Sequence, residues 1–244
     1  MKLDESLLAN IERSIAELQD YVSEQKLIDD DSELHRQQIA AVLLIARICQ
    51  ISKAALLVIK AGLNNEARSI FRIFLDAYFV FGAVCSDKSC VREYFATDFA
   101  ARLKLINVAE KHNSEIFSLI KERILDGSRD ELKCLVNKEN IQEFKTFNFA
   151  NKCGCNHIFD SMYRVCSASV HSTPRSLVPY MITDGDSIVG IEFNPAAEDV
   201  PQVAYDLVCF LIKVYSGVTE VFGTFDETII EEKRERLEAI VNKT

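Results

Sequence analysis

The sequence contains no tryptophan and few of the residues that interrupt regular structure. Four prolines and eight glycines occur in 244 residues, and nearly all of them lie between hydrophobic segments. Proline and glycine disfavour a helix interior most strongly, so their scarcity permits long uninterrupted helices. With 48% hydrophobic and 27% charged residues, the composition excludes a disordered chain and is typical of a globular protein.

Positive charge is also scarce. The chain has 28 Lys and Arg against 37 Asp and Glu, which gives a formal net charge of −9. A chain with this charge has no general attraction for nucleic acid or for an anionic membrane. Any contact with RNA would therefore need a local basic site, or one assembled across a dimer.

Segments typical of secreted or membrane proteins are missing as well. The N-terminal stretch is amphipathic and acidic, and the eight cysteines are scattered, several of them within apolar helical stretches. The most hydrophobic stretch, residues 39–63, contains Arg47, Lys53 and Lys60, charges that are costly in the middle of a bilayer. We therefore expect a cytoplasmic protein with reduced cysteines and no membrane contact.

Hydrophobic residues recur at helical spacing along most of the chain. The pattern predicts an all-α fold, a mainly helical bundle formed by one domain over residues 1–244. Central helices are expected at 66–85 and 197–222, packed on a helix at 39–61, and an amphipathic helix is expected at about 226–243.

Several polar residues are expected to mark helix ends. Ser32 is expected to cap the helix that runs to Gly62, and the Leu-Asn-Asn-Glu stretch at 63–66 to stop that helix and cap the next. The Asn-Ser-Glu stretch at 113–115 is expected to cap a helix that extends to about residue 126.

A β-hairpin interrupts the helical pattern. Two β-prone runs lie at about 177–194, on either side of the turn residues Asp184, Gly185 and Asp186. The fold class predicted is therefore all-α with one inserted hairpin.

The predicted helix at 66–85 is apolar except for one polar stripe. Arg68, Arg72 and Asp76 lie at positions i, i+4 and i+8, on the same face of the helix. Such a stripe either faces solvent or forms a paired cluster inside the protein. In both cases we expect Arg72 to pair with Asp76 or to contact water.

A second polar set lies on the predicted helix from about Asn156 to Thr173. Arg164 and His171 are seven residues apart, which places them about 20° apart around the helix and ~10.5 Å apart along its axis. Two side chains in this arrangement can share one ligand. Tyr163 and Ser167 precede His171 at i−8 and i−4, and we expect these three side chains to join in one hydrogen-bond network.

Other catalytic and metal motifs do not match. Ser167 is not in a Gly-x-Ser-x-Gly turn, which argues against a serine hydrolase. Cys153, Cys155 and His157 alternate along the chain, whereas structural zinc prefers Cys-x(2–4)-Cys pairs and four ligands. We therefore expect no metal and no cofactor.

The Arg164 and His171 pair resembles the Arg-x(4–6)-His signature of the HEPN superfamily, all-helical proteins prominent among prokaryotic toxins and antiviral defence systems. More closely, residues 66–84 followed by 163–174 resemble a prokaryotic helical domain family of unknown function. That family has an Arg-rich central helix ending in an acid and a later Tyr-x-x-x-Ser-x-x-x-His element. The resemblance covers about residues 30–225.

The HEPN resemblance implies a metal-independent endoribonuclease that acts in antiviral defence or toxin-type growth arrest. It implies a homodimer that binds RNA, with a partner protein encoded in the same operon. Arg164 would hold the scissile phosphate, and His171 would exchange a proton with the ribose 2′-hydroxyl or the leaving oxygen. Tyr163, Ser167, Arg68, Arg72 and Asp76 would form the supporting polar network.

One position departs from the pattern of active HEPN proteins. Val165 follows the arginine, where active members often carry Asn, Asp or His. Several relatives are catalytically inactive binding domains, so a non-catalytic sensor or scaffold is the alternative function. The exposure of Arg164 and His171 distinguishes the two, because a structural pair would be sealed in hydrogen bonds.

Overall fold

The computed structural model of the protein describes residues 5–27, 32–112, 114–118, 128–171, 173–196 and 198–242, and it is predominantly helical. The helices are α1 (Glu5–Glu24), α2 (Glu33–Lys60), α3 (Asn64–Ser86), α4 (Ser89–Lys111), α5 (Ser128–Lys138), α6 (Thr146–Lys152), α7 (Asn156–Ile158), α8 (Arg164–Val170), α9 (Pro174–Leu177), α10 (Val200–Val221) and α11 (Glu227–Val241). A π-helical turn, Phe159–Tyr163, joins α7 to α8, and 3-10 turns lie at Glu115–Phe117 and Val178–Tyr180. Two antiparallel strands, β1 (Met181–Asp184) and β2 (Ser187–Ile191), form a hairpin. The predicted fold class is confirmed.

Helix α3 lies at the centre of the bundle. It packs against α2, α4, α6, α8 and α10, while α10 also packs against α2 and α1. Phe210 of α10 lies against the rings of Phe74 and Tyr78 of α3, with centroid distances of 6.2 and 4.7 Å. Aromatic rings bury a large apolar area each, so this contact fixes α10 on α3. The predicted packing of both central helices on α2 is confirmed.

Length and composition alone would allow α2 and α3 to cross a membrane. Central helices of a large bundle have the same length and composition, and both helices contribute many buried side chains to the core. These two helices are therefore only weak evidence for a chain that crosses a membrane.

The two ends of α2 confirm one predicted cap and correct another. The Ser32 side chain accepts a hydrogen bond from the backbone N–H of His35 and so caps α2. Gly62, at a φ of 70°, ends α2 with the paired backbone bonds of a Schellman motif. The predicted side-chain cap of α3 is wrong, because Leu63 takes the cap position and α3 begins at Asn64.

The predicted hairpin is shorter than expected. The hairpin strands occupy 181–184 and 187–191 rather than 177–194, because Pro174 begins a short helix that continues into a 3-10 turn. Gly185 forms the turn at a φ of 59°. Ser114 accepts a bond from the N–H of Ile116 as expected, but residues 119–127 of the helix predicted there lie outside the described residues.

The C-terminal helix was predicted at about 226–243. Asp226 caps α11 by accepting a bond from the N–H of Thr228, and the helix runs to Val241. Lys233 is 8% exposed and pairs with Glu17, which ties α11 to α1.

Candidate functional site

The segment that carries Arg164 and His171 is attached to α3 by aromatic residues. In the π-helical turn, the rings of Phe159 and Tyr163 stack with a centroid distance of 4.7 Å, and both lie against Phe79 of α3. A π turn contains one more residue than an α-helical turn, and it is most often found as a single local turn. This turn places Phe159 and Tyr163 on the inner face and ends where α8 begins.

A polar cluster centred on Asp76 lies beneath this segment. Arg72 donates from Nη1 to Asp76 Oδ2 at 2.8 Å and from Nη2 to the Tyr163 hydroxyl at 2.5 Å. The Tyr163 hydroxyl donates to Asp76 Oδ1 at 3.1 Å, and the Thr146 hydroxyl donates to the same oxygen at 2.5 Å. The predicted pairing of Arg72 with Asp76 is confirmed. The side chains of Arg72 and Asp76 are only 24% and 23% exposed. The cluster is therefore partly buried, and its hydrogen bonds join α3, α6 and the π turn.

Two members of the predicted supporting network lie outside this cluster. Arg68 pairs with Asp199, at the start of α10, rather than with Asp76. Ser167 donates its hydroxyl to the backbone carbonyl of Tyr163, four residues earlier. Of the five predicted supporting residues, Tyr163, Arg72 and Asp76 are thus brought together, and Arg68 and Ser167 are not.

The predicted network of Tyr163, Ser167 and His171 side chains is wrong. The Tyr163 hydroxyl points inward to Asp76, while Ser167 bonds to its own helix backbone. His171 uses only its backbone N–H, which donates to the Ser167 carbonyl at 3.3 Å. Within the described part of the chain, no side chain bonds to the imidazole, because helix α8 ends at Val170 and leaves His171 exposed.

Arg164 is also exposed, with 66% of its side chain accessible to solvent. Its Nε donates to Oδ1 of Asp160, four residues earlier, at 3.1 Å, and its Nη2 lies 3.0 Å from the same oxygen. Since exposed pairs of this kind contribute only ~0–1 kcal/mol, a phosphate can displace the carboxylate at small cost. Neither Arg164 nor His171 belongs to the Asp76 cluster.

Arg164 and His171 stand at the two ends of α8. Residues 164–170 form regular α-helix and His171 is its C-cap, so helix geometry places the backbone of the two residues about 20° apart around the axis. His157 lies seven residues before Arg164, but the π turn between them shifts the helical phase. His157 is therefore exposed on a different face from the pair.

A groove lies beside this segment, between α3, the π turn with α8, and α10. Its volume is about 320 Å³, and its walls include Arg68, Met162, Val165 and Asp206. Burial raises the pKa of Asp206, and the amide of Gln202 donates to its carboxylate at 2.9 Å. Val165 is adjacent to Arg164 in the chain, but neither Arg164 nor His171 is among the residues that line the groove.

The described residues contain no cluster of three or more His, Cys, Asp and Glu side chains arranged to hold a metal ion. All eight cysteines are free thiols. The exposed pair consists of a guanidinium and an imidazole, which can bind an oxyanion and transfer a proton.

Two residues at the site were not predicted from the sequence. The Asp160 to Arg164 pair has i,i+4 spacing, so this signal was present in the sequence. Thr146 lies 70 residues from Asp76 on a separate helix, and no local pattern indicates their contact.

Residues 38–188 match a family of unknown function, DUF5677. The match covers more than half of the chain and includes both α3 and the segment with Arg164 and His171, so the chain belongs to this family. No curated protein and no solved structure matches the chain.

Proposed function

We propose that this member of the DUF5677 family is a HEPN-like, metal-independent endoribonuclease whose catalytic residues are Arg164 and His171. The observation that carries the proposal is the exposure of both side chains, Arg164 on α8 and His171 at its C-terminal end. A pair that served only to hold the core would be sealed in hydrogen bonds, as Tyr163 is at Asp76. The buried cluster instead fixes the helix and leaves the pair available to a ligand.

The two side chains have the chemistry that RNA cleavage requires. The Arg164 guanidinium would bind the scissile phosphate through two donors and stabilise the charge that develops on it. His171 would exchange a proton with the ribose 2′-hydroxyl or the leaving oxygen, since an imidazole nitrogen can accept or donate a proton. The internal 2′-hydroxyl is then the nucleophile, and the product ends in a cyclic phosphate.

A homodimer would complete this site. In one chain the pair lies on an open surface, whereas acid–base catalysis is strongest where water is excluded. The nearby hairpin exposes Ile188, Val189, Ile191 and Phe193, which are 61–82% accessible, and a two-stranded sheet has free edges. Pairing with the hairpin of a second copy would cover these side chains. The HEPN resemblance implies that the Arg164/His171 pairs of two subunits meet at the dimer interface.

The biological role we propose is antiviral defence or toxin-type growth arrest in a prokaryotic cytoplasm. This role follows from the resemblance to HEPN proteins. A net charge of −9 disfavours general RNA binding, so cleavage would depend on the local charges of Arg164 and Arg175. Arg175 lies exposed on α9, directly after the pair.

A non-catalytic sensor or scaffold is the second candidate. It is favoured by the ion pair of Arg164 with Asp160 and by Val165 at the position where active HEPN proteins often carry a polar residue. In this case the exposed pair would bind RNA or a partner protein without cleaving it.

The test is cleavage of single-stranded and structured RNA by the purified chain in EDTA. We expect His171→Ala and Arg164→Ala to lose ~100- to 10,000-fold in rate, as is typical when acid–base catalysis is removed. His157→Ala is the matched control for the exposed histidine. Arg102→Ala is the control for the arginine, since Arg102 is 65% exposed and pairs with an aspartate four residues earlier.

Because all four substituted residues are exposed, the variants should unfold at the same temperature as the wild type. RNA binding without cleavage by the wild type would favour the scaffold. Cleavage that is undiminished in His171→Ala would contradict the proposed catalytic pair.

A further inference from the structure

The groove between α3, the π turn with α8, and α10 has the lining of a small-ligand site. Phe71 of α3, Met162 of the π turn, Val165 of α8 and Val203 of α10 give it apolar walls. Ligand pockets in proteins have volumes of ~300–1,000 Å³ and combine such walls with a few polar groups that fix the orientation of the ligand. At about 320 Å³, this groove is large enough for a small molecule with a hydrocarbon part.

Two carboxylates line the groove, and only one of them is neutralised. Asp199 immediately precedes α10, where it pairs with Arg68 and accepts a bond from the Asn64 amide at 3.0 Å. Asp206 lies seven residues further along α10. Of the described residues, only Gln202 donates to its carboxylate, at 2.9 Å, and no Lys, Arg or His forms an ion pair with it. The groove therefore contains one carboxylate that has no positive partner.

The surroundings of Asp206 make the missing partner costly. Its side chain is partly buried, and this burial raises the pKa of its carboxyl group. An ionised carboxylate is unfavourable in a less polar environment unless it is paired. Glu17 is partly buried as well, but the bonds and charges of Lys233 and Arg236 outweigh the effect of burial and lower its pKa. A cation bound at Asp206 would supply the same compensation there.

We propose that this groove binds a small aliphatic amine, with the ammonium group on Asp206 and the hydrocarbon chain along Met162 and Val165. The ammonium group donates to Oδ2 of Asp206, since Gln202 already donates to Oδ1. The charge of the lining selects a cation, because Arg68 is its one basic residue and is matched by Asp199, which leaves the charge of Asp206 uncompensated.

The amine site is separate from the proposed catalytic pair. Neither Arg164 nor His171 lines the groove, and the amine makes no contact with RNA in this proposal. Binding of the amine can therefore be measured without a cleavage assay, and its outcome does not depend on whether the chain is a ribonuclease.

Methionine methyl groups provide a local readout of binding in the full chain. The chain has three methionines, of which Met162 lines the groove and Met181 lies on β1 of the hairpin. Protein labelled with ¹³C at the methionine methyl groups is titrated with n-pentylamine hydrochloride at constant pH, and Met162→Leu assigns the groove signal. The matched ligands are n-pentanol and pentanoate, which have chains of similar length with a neutral and a negative head group.

We expect n-pentylamine to shift the Met162 signal until it saturates and to leave the Met181 signal in place. The neutral n-pentanol should bind at least ~10-fold more weakly, since it cannot form a charge-assisted hydrogen bond to the carboxylate, and pentanoate should not bind. Equal affinities for n-pentylamine and n-pentanol would overturn the proposal, as would a Met162 signal that n-pentylamine does not shift at any concentration.

Two variants test the role of the carboxylate. Asp206→Asn keeps the shape of the side chain and removes its charge, and we expect it to weaken n-pentylamine binding ~10- to 100-fold. Asp184→Asn makes the same change in net charge at an exposed position of the hairpin and should bind n-pentylamine as the wild type does. An Asp206→Asn affinity equal to that of the wild type would reject Asp206 as the binding group. The comparison of the three ligands on the wild type decides the main point even where a variant fails to fold.

Discussion

Replacing Asp76 by alanine tests whether the polar cluster holds the candidate site in place. The substitution removes the acceptor for Arg72, Tyr163 and Thr146 and leaves a partly buried guanidinium without its partner. Hydrogen bonds to charged groups contribute ~1.5–3 kcal/mol, and breaking a fully buried ion pair costs ~3–5 kcal/mol. Asp76 is 23% exposed, so we take the lower end of the second range.

The expected loss in the free energy of unfolding is therefore about 3 kcal/mol. For a chain of this size, it corresponds to a fall in Tm of about 6–12 °C. Urea denaturation followed by circular dichroism measures the loss, and an unchanged m-value shows that the cooperativity of unfolding is retained.

Asp98→Ala is the matched control. Asp98 also pairs with an arginine four residues away, Arg102, but the two side chains are 54% and 65% exposed. Both variants exchange aspartate for alanine within a helix, so the change in helix propensity cancels in the comparison. The control should lose at most about 1 kcal/mol. If Asp76→Ala and Asp98→Ala were destabilised equally, the Asp76 cluster would not stabilise the contact between α3, α6 and the π turn.

Three further predictions concern other parts of the chain. Asn65→Ala should cost ~1–3 kcal/mol in urea denaturation, because its buried amide donates to the Ser176 carbonyl at 2.9 Å; equal loss in the exposed control Gln142→Ala would contradict this. Burial raises the pKa of Glu17, but the hydrogen bonds and charges of Lys233 and Arg236 in α11 lower it by more, so the net shift is downward. The ion pairs of Glu17 therefore stabilise the folded chain above the unfolded pKa of ~4.3, and this stabilisation declines as the pH falls through the lower folded pKa. Glu17→Gln should remove this part of the acid sensitivity in denaturation measured from pH 6 to about 3. Asp160→Asn should leave Tm unchanged and tighten RNA binding in a titration, since it frees the nearby guanidinium and removes a negative charge; weaker binding would show that the carboxylate positions the arginine.

The arrangement of the central helices could be predicted because their apolar residues cover most of each helix surface. The hairpin turn could also be predicted, since Gly185 between two aspartates is a strong turn signal. The predicted cap at residues 63–66 was wrong for a tertiary reason. Asn64 exchanges hydrogen bonds with Asp199, and Asn65 donates to Ser176, so neither amide is available to the helix end.

The exposed residues of the candidate site could be predicted from the sequence, but the packing that supports them could not. The seven-residue spacing of Arg164 and His171 is local, and helix geometry places the two residues on one face. The π turn depends on how Phe159 and Tyr163 pack on α3, which no local periodicity indicates. That packing also turned the Tyr163 hydroxyl inward, so the expected side-chain network to His171 did not form.

A double-mutant cycle on the rate of RNA cleavage in EDTA shows whether Arg164 and His171 act as one catalytic site. The wild type, Arg164→Ala, His171→Ala and the double variant are compared on one substrate under single-turnover conditions. The rate effects of residues that act as a unit are strongly non-additive, so we expect the double variant to be about as slow as the slower single variant. Cleavage by the wild type with either single variant unimpaired, or losses that simply multiply in the double variant, would contradict a shared catalytic site.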